Sequence, residues 1–186
     1  MNEYLQKQMD LDIDQELVQK SKAGNIAAFK ELVQRHEGKV AGVVRSMLGS
    51  TPEAEDVGQE VFIKFYESLD KFRGDSLVST YLVRIAINLS LNELKKRKRN
   101  YARYGKIEEG KDAQAIEETH DLKELLAYEM DKLEPDFKSV VTLRLVEGYS
   151  TEETSTLLKI PLGTVLSRLS RAQLKLRLSL SKKLNT

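Results

Sequence analysis

Between Pro161 and Lys175, the residues Thr164, Arg168, Arg171 and Lys175 fall at steps of four, three and four, with Ser167 beside Arg168. At about 100° per residue, that spacing places hydroxyls, guanidiniums and an ammonium on one side of a helix. No acid interrupts the set, and from Ile160 onward every charged residue is basic. The chemistry open to such a face is recognition of a polyanion. A guanidinium can bind a guanine edge bidentately in a major groove, and hydroxyls or free helix N–H groups can hold phosphate. Pro161 and Gly163 keep the helix start slim, so that backbone can approach a duplex. Covalent chemistry has less to work with. There is no cysteine, which excludes disulfides, thiol nucleophiles and thiolate metal sites. His36 and His120 lie far apart in sequence. Asp56, Gln59 and Glu60 form an acidic, polar helix face, and paired carboxylates can do general acid–base work. No third catalytic group, nearby histidine or glycine-rich phosphate cradle accompanies them, so docking on a basic partner explains the acids better. No catalytic residue, metal site or cofactor is expected.

A second set of binding residues precedes the first. Tyr81, Arg84, Asn88, Asn92 and Lys95 also fall at steps of three or four. An aromatic platform, amides and cations along one helix suit bases that have left the stack, with the basic end, Lys95 to Arg99, following phosphates. Asn side chains can hydrogen-bond the edge of an extruded base, which offsets an unstacking cost of a few kcal/mol.

These faces need helices to carry them, and helix signals dominate the chain. Asp14 is a candidate cap for a first helix ending at Gly24. Asn25 caps a second, whose apolar residues run from Phe29 through Leu32, Val40 and Val44 to Met47. Thr51 and Pro52 start a third, in which Phe62, Phe65, Tyr66 and Leu69 keep the spacing of one buried face. Asp70 to Ser76 reads as a loop, and a fourth helix follows from about Leu77 to Lys98. Periodicity fades from Asn100, and GKIEEGKDAQAIEET reads as a flexible acidic linker. HDLKELLAYEMDKL restores an amphipathic helix, and the next segment has Pro135 near its start and Gly148 past its end. Ser150 and Glu153 stand in capping-box spacing. A short turn with Lys159 and Ile160 then leads into the basic helix. Its stripe of Val165, Leu169, Ala172 and Leu176 packs inward. Two short helices joined by a tight turn make a helix-turn-helix.

The expected fold is all-α: two small helical domains joined by a flexible acidic linker, the second a helix-turn-helix. The boundaries are 1–99, 100–121 and 122–186. The net charge of +1 conceals segregation, with a basic block around residues 95–106, an acidic stretch to Asp136, and a basic end. That layout suggests two surfaces for polyanions. The start, MNEYLQKQMDLDID, is polar and unlike a signal peptide, and no apolar run approaches the ~20 residues of a membrane span. No membrane insertion and a cytoplasmic location are expected. On the second module alone, a basic surface helix in an unrelated bundle and a conventional operator-binding regulator both remain open.

The segment YSTEETSTLLKIPLGTVLSRLSRAQLKL closely resembles the C-terminal, promoter −35-reading domain of extracytoplasmic-function (ECF) sigma factors. Glu55 to Arg99 resembles their N-terminal, −10-binding domain. The resemblance covers most of the chain, in the family's order. It implies a two-domain, non-enzymatic initiation subunit that directs core RNA polymerase to promoters and helps open the −10 region. It places polymerase docking at Asp56, Gln59, Glu60 and Phe62. It places the opened −10 strand at Phe72 to Ser79 with Tyr81, Arg84, Asn88, Asn92 and Lys95. It places the −35 duplex at Pro161, Gly163, Thr164, Ser167, Arg168 and Arg171. Core polymerase, promoter DNA and an anti-sigma factor are the implied partners. The chain departs from the pattern at Leu166, where a basic residue is common, and at Tyr81, where tryptophan is usual. An aromatic is common at Leu77 or Val78, and a small residue near Ser155 and Lys159.

Overall fold

The structure is a computed structural model that describes residues 3–104 and 122–184. The N-terminal module comprises α1 (Glu3–Lys22), α2 (Ile26–Leu48), α3 (Pro52–Glu67) and α4 (Val78–Tyr104). The C-terminal module comprises α5 (Leu122–Asp131), α6 (Pro135–Val141), α7 (Thr151–Leu158) and α8 (Leu162–Leu184). Among the described residues there is no strand, and no helix is long and apolar enough to cross a membrane. Most of the expected linker, residues 105–121, lies outside the described residues, and so does His120. Residues 100–104 continue α4 rather than leaving it at Lys98.

Local chemistry accounts for the helix boundaries. Asn25 Oδ1 accepts the Ala28 N–H at 3.1 Å, and Thr51 Oγ1 accepts that of Ala54 at 3.3 Å, satisfying donors that a helix start leaves orphaned. Gly49, with φ of 76°, turns the chain out of α2 where a side chain would be strained. The capping box forms as expected: Ser150 Oγ accepts the Glu153 N–H, and the Glu153 carboxylate accepts the Ser150 N–H at 2.7 Å.

Asp14 is not a helix cap. It lies inside α1, which starts well before it, and its carboxylate is almost entirely buried against α2. There the His36 ring Nε2 sits 2.9 Å from Oδ2, and Arg35 Nε donates to Oδ1 at 2.9 Å. This polar clamp joins α1 to α2 within an otherwise apolar packing of Leu17, Val18, Leu32 and Val40.

The buried face of α3 is also shifted from the expected one. Ala54, Val57, Val61 and Phe65 point inward, Phe62 is half-buried, and Tyr66 is exposed. α4 fills the other side of this core with Val78, Leu82, Val83, Ala86 and Ile87.

In the C-terminal module, Val165, Ala172 and Leu176 are buried on α8, and Ala172 and Leu176 pack with Met130, Leu133 and Val141. The chain between α6 and α7 widens into a π-type turn over Thr142–Val146 before Gly148 reverses it with φ of 74°. The modules touch. Leu143 and Leu157 share the first module's core, and Lys39 on α2 lies 3.6 Å from the Glu147 carboxylate.

Burial is the largest influence on the Asp14 carboxyl and raises its pKa. The hydrogen bonds and charges of His36 and Arg35 outweigh it and hold the group below its ordinary value. A carboxylate depressed in the folded state stabilises the fold at neutral pH, and that contribution fades as pH falls through the folded pKa. Asp14→Ala should therefore cost about 2 kcal/mol in urea unfolding at pH 7. The gap from wild type should narrow when the same titration is run below about pH 4.

Candidate nucleic-acid interface

The turn into α8 is built by polar bonds rather than by small residues. Lys159 takes the left-handed conformation, φ 54°, which a glycine would adopt more easily. Ser155 Oγ donates to the Ile160 carbonyl at 2.6 Å and ties the end of α7 across the turn. Serine and lysine thus make the tight turn where the ECF pattern favours small residues. Pro161 then supplies the first acceptor of α8, taking the N–H of Thr164 at 2.9 Å and of Val165 at 3.1 Å.

With Val165 and Ala172 fully buried behind it, α8 turns Ser167 and Arg171 outward, exposed, with Thr164 half-buried beside them. Ser167 Oγ donates to the Thr164 carbonyl at 3.1 Å, which leaves its oxygen able to accept. Arg171 makes no hydrogen bond or ion pair among the described residues. A Cβ built on Gly163 meets nothing within 4 Å. Pro161 and Gly163 are both exposed, so the helix start is open to close approach from outside. Arg168 is different: its Nη2 donates to Asp136 Oδ2 at 2.6 Å. Lys175 likewise donates to Glu134 Oε1 at 3.1 Å. Leu166 is half exposed on the near side of this face, and Leu174 and Leu178 further along are more exposed still.

On α4, Asn88, Asn92 and Lys95 are exposed along one side, with Ser79, Tyr81 and Arg84 half-buried at its N-terminal end. Asn92 and Lys95 join Lys98 and Arg99 around one open, basic depression. Arg97 departs from this row. It donates to the Leu48 carbonyl at 3.3 Å and to Thr51 Oγ1 at 2.9 Å, and its guanidinium lies 3.3 Å from Glu53. It therefore pins α4 to the α2–α3 corner and is not available to follow phosphate as expected. Phe72, expected in the region of the opened −10 strand, is part of the core. Its ring is 5 % exposed and sits edge-on to Phe65 at 5.9 Å and to Tyr81 at 5.1 Å. Lys22 Nζ donates to the Phe72 carbonyl at 2.7 Å and holds this loop down. Stacking on a base would require the ring to leave the core. The loop's polar residues, Arg73, Asp75 and Ser76, are the exposed ones. Tyr81 keeps part of its ring at the surface while packing on Phe65 and Phe72.

The acidic face resolves into two parts. Gln59 and Phe62 line a groove between α2 and α3, whereas Asp56 and Glu60 are exposed and outside it. The opposite wall is supplied by Val33, Glu37, Ala41 and Arg45 of α2. In the sequence, the signal for this wall is the polar pair Glu37 and Arg45, beside the apolar stripe of α2.

Between the modules, Tyr149 lies near Thr80, the residue before Tyr81, and Lys39 Nζ lies 5.5 Å from its ring centre. Burial pushes the Tyr149 phenol up to about 12, the nearby Glu147 charge adds to that, and the Thr80 side chain partly offsets it. The phenol is therefore protonated at any physiological pH.

Two helical modules, one a helix-turn-helix whose outer face is basic and whose back is locked, define a DNA-binding protein of the helix-turn-helix class. Comparison with known proteins narrows this. The Sigma-70 region 2 family model matches residues 32–100, and the Sigma-70, region 4 model matches residues 123–176. The RNA polymerase sigma-H factor of Pseudomonas aeruginosa is 37% identical over 175 residues, 86% of this chain and 90% of that protein. The ECF RNA polymerase sigma-E factor of Escherichia coli is 35% identical over 173 residues, with the same coverage of both chains. Among solved structures, CnrH in complex with the cytosolic domain of CnrY superposes with a TM-score of 0.65 at 26% identity, covering 91% of this chain and 98% of that one. The sigma factor RpoE from Bartonella quintana, solved with the anti-sigma factor NepR, shares the fold with a TM-score of 0.64 at 20% identity, covering 82% and 96%. The chain belongs to the ECF class of the sigma-70 family of RNA polymerase sigma factors, regulatory proteins of transcription initiation.

Phe72→Ala should cost about 3–5 kcal/mol in chemical unfolding, the penalty of a fully packed aromatic. An exposed base-stacking ring would leave the unfolding midpoint almost unchanged.

Proposed function

We propose that the two modules divide promoter recognition between duplex and single strand, with residues 1–99 and 122–186 as the functional units and 100–121 as the tether. The C-terminal module reads the −35 duplex through Pro161, Gly163, Thr164, Ser167 and Arg171, with Arg168 at the edge of the contact. The observation that carries this reading is Arg171, an exposed and unpaired guanidinium on a helix whose opposite side is buried. A bidentate guanidinium–guanine contact discriminates by about 1–3 kcal/mol. With leucine at position 166, no basic side chain precedes Ser167 on that helix, which concentrates the charge at Arg171.

The N-terminal module holds the opened −10 strand on the Tyr81, Arg84, Asn88, Asn92 and Lys95 face of α4. Ser79 lies at its start, and Phe72 supports it from within the core. Asn88 and Asn92, exposed and unbonded among the described residues, present amides to an extruded base. Lys98 and Arg99 extend the positive rim. The α2–α3 groove with Gln59 and Phe62, flanked by Asp56 and Glu60, docks core polymerase by apolar contact inside an acidic border. An anti-sigma factor is a fitting regulator, since the structurally similar CnrH and RpoE were solved with CnrY and an anti-sigma factor respectively. The protein works in the cytoplasm, as a binding subunit with no chemistry of its own.

Run-off transcription with core polymerase and a cognate promoter tests the whole reading. Promoter-dependent product is expected only when this chain is added, and none on any promoter would refute it. Arg171→Ala should weaken −35-dependent initiation by about 1–3 kcal/mol while leaving core binding intact. Asn88→Ala should reduce permanganate reactivity of the −10 bases more than it reduces duplex binding; a normal melting footprint would remove Asn88 from the strand-holding set.

A further inference from the structure

The three cations of the α8 face are not equivalent. Arg171 is unpaired among the described residues. Arg168 is bound to Asp136, and Lys175 to Glu134, with the Lys175 ammonium also 4.8 Å from the Phe137 ring centre. Both carboxylates come from one short stretch at the start of α6, 32 and 41 residues from their partners. The pairs therefore exist only because α6 packs along α8. Arg168 and Lys175 are themselves 26% and 52% exposed, so a phosphate can still reach these cations.

An unpaired cation that meets DNA phosphate releases a condensed counterion, and that release drives sequence-independent binding. A cation already held by a carboxylate gains much less, because one anion must be exchanged for another. A base edge suffers no such competition from the carboxylate when the contact is made by Arg171. We infer that Asp136 and Glu134 raise the promoter selectivity of the −35 module by withholding Arg168 and Lys175 from the phosphate backbone. The inference rests on α8 being the −35-reading helix. Asp136 and Glu134 act on DNA only through their partners and are positioning residues.

The test uses holoenzyme reconstituted with core polymerase, on promoter fragments with intact or scrambled −35 sequence, between 50 and 200 mM salt. The Glu134→Gln, Asp136→Asn double variant should steepen the salt slope on scrambled DNA by about 0.9 per released cation. It should lower the intact-to-scrambled affinity ratio about tenfold or less, because scrambled DNA is bound more tightly. Asp136→Glu, which keeps the charge, should stay at the wild-type slope. Asp136→Asn in an R168A background should change nothing further. An unchanged slope and ratio in the double variant overturns the inference, as does an equal effect of Asp136→Asn with and without Arg168, which would make it a general field effect. If the wild-type holoenzyme itself fails to distinguish the two fragments and Arg171→Ala is silent, the −35 assignment falls and this inference with it.

Discussion

A cation can neutralise a carboxylate of its own chain or a phosphate of a partner, but the second loses most of its value once the first is made. That competition organises this protein. Its formal charge nearly cancels, yet the cancellation is uneven in space. Arg97 and the buried Lys138, which meets Asp131 at 2.5 Å, have been given to the fold. Arg168 and Lys175 are held by carboxylates at the edge of a binding face. Arg171, Lys95, Lys98 and Arg99 have no such partner among the described residues, and they lie on the two faces proposed to meet nucleic acid. Exposed ion pairs contribute only about 0–1 kcal/mol to stability. The role proposed for the pairs at the α8 face lies in what they deny to phosphate, since they add little to folding.

Everything that makes these surfaces usable is rigid apolar packing behind them. α8 can expose Arg171 because Val165 and Ala172 are fully buried on its opposite side. α4 can expose Asn88 and Asn92 because Leu82, Val83, Ala86 and Ile87 fix its other face, and because Arg97 ties it to the α2–α3 corner. The aromatic group of Phe65, Phe72 and Tyr81 performs the same service at the N-terminal end of that face. Where the two modules meet, the contacts combine two buried leucines with the ion pair of Lys39 and Glu147. With Tyr149 near Thr80, the junction uses surface adjoining the face of α4 proposed to hold the −10 strand.

Much of this was legible from residue spacing. The helix starts at Asn25, Thr51 and Ser150, the inward stripe of α8 and the outward placement of Ser167 and Arg171 all follow from local rules: a polar cap accepts an orphan N–H, and a helix repeats every 3.6 residues. The errors share a cause. Asp14 has the chemistry of a cap, but a buried histidine on another helix claimed its carboxylate. Phe72 lies in a polar loop, but Phe65 and Tyr81 offered its ring a better place than water. Arg97 is one cation in a row of five, distinguished only by facing the end of α2. The α2 wall of the groove has no distinctive local signature, because residues beside a core stripe look like any solvated helix face.

The amino-acid order alone determined the helical class, the division into two modules, and which side of α4 and α8 could be polar, because each depends on interactions within a few residues. The tertiary structure decided which cations are spent on the fold and which stay unpaired, which aromatic is core, and where the modules touch. Those outcomes depend on partners carried by other elements, some of them 22 to 50 positions away, such as Asp14 with His36 and Lys22 with the Phe72 carbonyl. No local periodicity encodes such meetings; they exist only once the helices have packed.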